Sequence, residues 1–319
     1  MNFFKFEWNR FTLEFGVKTR IMGILNTTPD SFSDGGQYFG CDAAVEQGLK
    51  LASEGADIID IGGESSRPFA QPVSLQEELD RVIPVIERLA SRIDIPISID
   101  TVKAKVAEEA LNAGAAIIND ITALEKDEQM VKLVAQRGVP VVLMHMKGSP
   151  ATMQINPQYD DFLQEIRGYL EERAIFAVNA GVSKDRIILD PGIGFGKTVE
   201  HNLMIIKYLD RIADLGFPVL VGPSRKSFIQ KILSGDGCPK PLFSTEPDLS
   251  AGVASSAKNK TLSVKCNEIS PLSSETETGT MAAVAASIMK GAHIVRVHDV
   301  ASAKATANIV NAVQTANMD

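Results

Sequence analysis

The sequence predicts an α/β protein built as one (β/α)8 barrel. Three observations carry this prediction. A phrase recurs: an amphipathic helical stretch, a Gly, then a short apolar run, as in GADIIDIGG at 55, GAAIINDI at 114, GVPVVLMHM at 138, GFPVLVGPS at 216 and GAHIVRVHDV at 291. With the looser copy GVSKDRIILDPG at 181, and with TRIMGILN at 19–26 and IPISIDT at 95–101, the runs number eight. Each run is too short for a helix and rich in Ile and Val, the mark of a parallel strand buried on both faces. An open doubly wound sheet gives the same alternation, and the count of eight favours the closed ring.

In order, the strands are expected at 19–25, 57–62, 96–100, 116–120, 140–145, 186–190, 218–222 and 293–298. Helical patterns follow them, for example VEQGLKLASE, LDRVIPVIERLAS and VKAKVAEEALNA. The Gly before a strand supplies the left-handed residue that ends a helix, which other residues resist. Residues 1–18 precede the first strand and are expected to form a small hairpin under the barrel. Residues 234–275 lack a sustained period and are rich in Ser, Pro and Lys, as expected of an inserted loop between strands seven and eight. Apolar helical spacing resumes at TGTMAAVAASIMKGA, and 1–319 reads as a single domain.

Composition bounds the function. Of 319 residues, 45% are hydrophobic and 23% charged, which excludes disorder and a fibre. The net charge of -8 argues against nucleic acid as a partner, so any bound anion needs a few local cations. Cys41, Cys238 and Cys266 are odd in number and show no CxxC spacing, so neither a disulfide framework nor a zinc knuckle is indicated. Lys5, Glu7 and Arg10 interrupt the apolar N-terminus, and no apolar run approaches the ~18 residues of a membrane span. The expectation is a reduced, cytoplasmic protein.

Polar side chains collect where the apolar runs end. Strand one ends in Asn26, strand two in Glu64-Ser65-Ser66-Arg67, strand three in Asp100 and strand four in Asn119-Asp120. Strand five ends in His145, six in Asp190, seven in Ser224-Arg225-Lys226, and eight carries Arg296, His298 and Asp299. For one strand this is just the first polar residue of a loop. In a barrel all eight ends open onto one mouth, where barrel enzymes place their sites. Asp100, Asn119 and Asp190 suit the edge of a flat heterocycle bearing N–H and C=O groups. Arg67, Lys226, Arg296 and His298 suit a phosphate or diphosphate. PGIGFGKT at 191–198 nearly matches a nucleotide-binding P-loop, but Pro191 stands where its first Gly belongs. Proline removes an N–H and fixes φ, which spoils a phosphate cradle.

In order along the chain, GILNTTPDSFSDGG, GGESSRP, SIDT, IIND, LMHMKG, LDPGIGFGK, SRKS and RVHDV resemble the dihydropteroate synthase family over about residues 20–317. The resemblance implies a TIM barrel enzyme of folate biosynthesis, a homodimer and a sulfonamide target. It implies the condensation of 6-hydroxymethyl-7,8-dihydropterin diphosphate with p-aminobenzoate to 7,8-dihydropteroate and pyrophosphate. By the same resemblance Asp100, Asn119, Asp190 and Lys226 hold the pterin, Met144 and Phe195 wall it, and Arg296 lies over its face. Asn26, Arg67, Arg296 and His298 match the diphosphate site, with Asn26 near Mg2+. Phe32, Ser66, Pro68 and Ser227, with Phe195 and Lys226, match the p-aminobenzoate pocket, and Ser66 also borders the pterin diphosphate. The family usually shows Thr where this chain has Ser66. His145 and His201 receive no role.

No Ser-His-Asp or Cys-His constellation is visible, so the expected mechanism is a dissociative substitution without a covalent enzyme intermediate. Asp100 and Asp190, both taken as anionic, are expected to favour the positive charge that develops on the pterin methylene. Two rival readings share the pterin carboxylates. A methyltetrahydrofolate:corrinoid methyltransferase has no need of the cationic set, and a non-catalytic pterin-binding protein has no need of the loop at 23–36.

Overall fold

The computed structural model describes residues 2–27, 36–66, 71–149, 152–235 and 272–316. The chain opens with the expected hairpin. β1 (Phe4–Trp8) and β2 (Phe11–Phe15) pair antiparallel, with Phe4 opposite Phe15. Alternation buries Phe6, Trp8, Leu13 and Phe15 and leaves Lys5, Glu7 and Thr12 in solvent. Trp8 Nε1 donates to the Ala116 carbonyl at 2.8 Å, so the hairpin lies against the N-terminal ends of the barrel strands.

The barrel strands are β3 (Arg20–Asn26), β4 (Ile58–Gly62), β5 (Ile97–Asp100), β6 (Ile117–Asp120), β7 (Val141–Met144), β8 (Ile187–Asp190), β9 (Leu220–Val221) and β10 (Ile294–Val297). They pair in parallel in the order β8-β7-β6-β5-β4-β3-β10-β9. A parallel bridge from Leu189 to Val219, with Leu189 N donating to Pro218 O at 2.9 Å, closes the ring. The eight expected strands are therefore the eight found, and the seventh is shorter than expected.

The outer layer is α1 (Gly36–Ser53), α2 (Leu75–Ala90), α3 (Ala104–Ala113), α4 (Glu128–Arg137), α5 (Phe162–Asn179), α6 (Val199–Lys207), α7 (Leu209–Ala213), α8 (Ser227–Leu233), α9 (Leu272–Met289) and α10 (Val300–Thr315). Local chemistry sets their ends. Ser74 caps α2 by accepting from Glu77 N, and the helix buries Val82, Val85, Ile86 and Leu89 along one stripe. α3 stops at Gly114, where φ is +116° and a Cβ would sit 2.6 Å from the Ala90 side chain. One boundary corrects the sequence reading. The aperiodic stretch does not reach residue 275, because α9 already begins at Leu272. Its early turns bury Thr276 and Thr280 instead of large apolar groups, so no apolar period announces them. Gly279 permits the packing there: a Cβ on it would meet Ile229 of α8 at 2.6 Å. The rest of the insertion, residues 236–271 with Cys238 and Cys266, lies outside the described residues.

Candidate active site

The strand ends converge on a cleft of about 370 Å³, part of it open to solvent. Asp100, Asn119, Asp190, Lys226 and Arg296 supply its polar lining. Ser66, Met144 and Phe195 also border it, as do Ile121, Ile193 and Gly222, which the sequence reading did not single out. Met144, Met153 and Phe195 form a small apolar cluster of their own, separate from the main core. Lys226 holds its ammonium 4.1 Å from the centre of the Phe195 ring.

Register explains the convergence. Asp100 is paired with Asn119 across β5 and β6, and Asp190 with Met144 across β7 and β8, so these side chains stand at one level of the ring. Arg296 crosses to them from β10: Nη2 donates to Asp100 Oδ2 at 2.8 Å and Nε to Asp60 Oδ2 at 2.6 Å. Asn119 Nδ2 donates to the same Asp60 oxygen at 3.1 Å. Asp190 Oδ1 accepts from Gly192 N at 2.7 Å, which ties the carboxylate to the loop that carries Phe195. His298 does not border this cleft; its Nδ1 meets Ser224 Oγ at 2.9 Å. Asn26 is half-buried at the mouth end of β3, and Ser227 is exposed at the start of α8; neither borders the cleft. Phe32, Arg67 and Pro68 lie outside the described residues.

The profile of the pterin-binding enzymes matches residues 22–298. A dihydropteroate synthase from Synechocystis is 44% identical over 90% of this chain and 87% of its own length. One from Bacillus subtilis is 42% identical over 94% of this chain and 90% of its own. The solved Xanthomonas albilineans dihydropteroate synthase with 4-aminobenzoic acid superposes with a TM-score of 0.82 at 39% identity, covering 99% of this chain and 100% of that one.

The chain belongs to the dihydropteroate synthases.

It is therefore a transferase on a TIM barrel. Within this dihydropteroate synthase, burial dominates the electrostatics of the cleft. It pushes the Asp190 carboxyl up to about 6, against the Gly192 N–H, Lys226, Lys197 and Arg296. It pushes Asp100 up to about 7; Arg296 opposes the shift, and Asp60, Glu78 and Asp120 add to it. Burial thus works against the anionic form expected of both carboxylates, more strongly for Asp100 than for Asp190. Burial works against the charge on Arg296, but Asp60 and Asp100 outweigh it and raise its pKa.

Several residues were missed. Asp60 is fully buried in the middle of β4, and its signal was present: a charge inside the run GADIIDIGG. Lys197, the lysine of the near P-loop, is 3% exposed, and burial lowers its pKa to about 7. Its Nζ meets His145 Nδ1 at 2.9 Å and the Phe195 carbonyl at 2.9 Å, so it braces the loop that carries Phe195. Lys103 joins Glu64 and the fully buried Glu78, each at 2.5 Å, below the β4–α2 loop. His201 belongs to the cap of α6 and His145 to this bracing.

Proposed function

We propose that this transferase, read as one catalytic domain, joins the methylene of (7,8-dihydropterin-6-yl)methyl diphosphate to the amine of p-aminobenzoate, releasing pyrophosphate. The observation that carries the reading is the meeting of carboxylate and carboxamide groups with two cations in one cleft, Asp100, Asn119 and Asp190 beside Lys226 and Arg296. The first three offer acceptors to the N–H edge of the pterin, and Lys226 offers a donor to its oxygen or ring nitrogen. Met144 and Phe195 supply apolar walls. The Arg296 plane, held at two points, is suited to lie against the ring and to meet the diphosphate.

The aminobenzoate amine is neutral and needs little base, so the barrier lies in departure of pyrophosphate. Cations at Arg296, His298 and Arg67 stabilise the leaving group. The electron-poor methylene shares its charge with the pterin ring. Asp190, ionised above about 6, favours that charge electrostatically. Ser66, Pro68, Phe32 and Ser227 are assigned to the aminobenzoate end.

Magnesium is the implied cofactor. No group of three or more His, Cys, Asp or Glu side chains is arranged to hold a metal ion among the described residues. The Asn26 carboxamide oxygen, at the mouth end of β3, is a hard donor suited to a cation held mainly by substrate oxygens and water. When bound, the ion supplies positive charge against the diphosphate. The reading extends to a cytoplasmic homodimer with small-molecule substrates and no nucleic-acid or membrane partner. The acidic net charge supports the former exclusion, and no helix of the described residues is long and apolar enough to cross a membrane.

The test is an assay of pyrophosphate release with each component left out in turn. Release is expected to need the pterin diphosphate, p-aminobenzoate and Mg2+ together. Equal release without p-aminobenzoate would make the protein a hydrolase and overturn the reading.

A further inference from the structure

Asp60 occupies a position where a charge is costly. It sits in the middle of β4, fully buried, in register with Ile24 on one side and Ser98 on the other. Gly62, two residues later on the same face, pairs with Asp100, so Asp60 lies one layer beneath the cleft floor. Only one of its oxygens is engaged. Oδ2 accepts from both Arg296 Nε at 2.6 Å and Asn119 Nδ2 at 3.1 Å, while Oδ1 has no partner among the described residues.

This geometry has a chemical consequence. A carboxylate paired with a guanidinium has no hydrogen to give, so Asn119 must turn its amino group to Asp60. Its carbonyl oxygen is then left on the other side of the carboxamide, as an acceptor. Without Asp60, a carboxamide is free to flip and present either a donor or an acceptor.

We propose that Asp60 is a positioning residue that sets the polarity of Asn119 in the pterin site: by anchoring Asn119 and Arg296 from below, it presents the Asn119 carbonyl, beside Asp100 and Asp190, to a heterocycle edge that carries hydrogen-bond donors. The inference rests on the pterin reading above and adds the origin of its selectivity. It also accounts for a charged residue in the barrel interior that never borders the ligand cleft.

The test compares two ligands by calorimetry: 6-hydroxymethylpterin, and the analogue in which a carbonyl replaces the 2-amino group. The folded protein is expected to prefer the amino ligand by at least roughly tenfold, the worth of one well-placed hydrogen bond. Asp60→Leu removes both acceptor oxygens and is expected to lower the preference by at least about threefold, with Asp100 and Asp190 keeping the remainder. Asp60→Asn can keep an oxygen toward Arg296 and Asn119, and is expected to retain the preference. A general loss of packing lowers affinity for both ligands and leaves their ratio alone, so the ratio separates positioning from a structural role. Should Asp60→Leu not fold, the double variant Asp60→Leu/Arg296→Met removes the cation with its anion and carries the same readout. An unchanged ratio in the Leu variant overturns the inference, and so does equal loss in the Leu and Asn variants. Failure of the unsubstituted protein to bind either ligand overturns the pterin reading, and the inference with it.

Discussion

At the N-terminal end of the barrel, polar groups find partners and apolar groups find cover. Asp57 takes Arg20 Nη1 at 2.9 Å and the Ile21 N–H at 2.9 Å, with Lys304 at 3.8 Å. The hairpin seals this end with Phe6, Trp8, Leu13 and Phe15, and the Trp8 N–H is satisfied. At the C-terminal end charge is buried at the floor of the cleft, and one layer beneath it Asp60 Oδ1 and Ser98 Oγ have no partner among the described residues. Asp100 and Asp190 are both raised by burial, so above pH 6–7 their folded-state charge costs stability, and the cost fades as pH falls toward the unfolded carboxylate range near 4. One end is built to hold the fold, and the other buries the charges of Asp100 and Asp190 where a ligand in the cleft can pair with them.

The sharpest way to break this contrast is at the plug. Trp8→Ala is expected to cost about 3–5 kcal/mol of stability, the usual price of emptying a buried aromatic site, read by chemical denaturation. Pterin affinity of the folded variant is expected to stay within roughly twofold, since additivity holds for distant sites. A parallel fall in affinity would mean that the two ends are coupled.

At the mouth, Arg296→Ala is expected to lower kcat by roughly 10²–10³, the scale for removing one donor from developing charge. Steady-state pyrophosphate release checks this. A rise in the p-aminobenzoate KM at unchanged kcat would place Arg296 elsewhere. Asp190→Asn is expected to weaken pterin binding roughly ten- to a hundredfold, as one charge-assisted hydrogen bond is lost. Its denaturation midpoint at pH 8 is expected to be equal or higher, because the variant no longer holds a buried charge there. Lower stability together with weaker binding would erase the contrast between the ends.

The same carboxylate gives a pH signature. It must be ionised to accept from pterin N–H groups, so kcat/KM for the pterin diphosphate is expected to fall as pH drops through about 6. An acid limb near 4, the ordinary carboxylate value, would contradict the burial argument. The smallest effect is expected at the insertion. α8 and α9 pack directly on each other, so the ends of 236–271 are already held close. Closing a shorter loop changes the free energy by only ~0.6 kcal/mol per halving of length. Replacing 236–271 with a short Gly-Ser link is expected to keep turnover within a few-fold; loss of turnover in a folded variant would attach this segment to the site.

Much of this was legible before folding was considered. Short Ile- and Val-rich runs, six of them behind Gly caps, determined eight parallel strands, because periodicity and left-handed glycines are local properties of a chain. The polar residue closing each run pointed to the mouth, and Asp100, Asn119, Asp190, Lys226 and Arg296 meet there. What the tertiary structure alone decided is which groups are paired and how they ionise. Lys197 sits in a near P-loop that Pro191 had already ruled out, and only the structure shows it as a buried brace on His145 and Phe195. Asp60, which the sequence reading passed over, holds two cleft residues from strands far away in sequence. Partners so distant in the chain leave no periodic trace, and a pKa depends on burial, which exists only once the ring has closed.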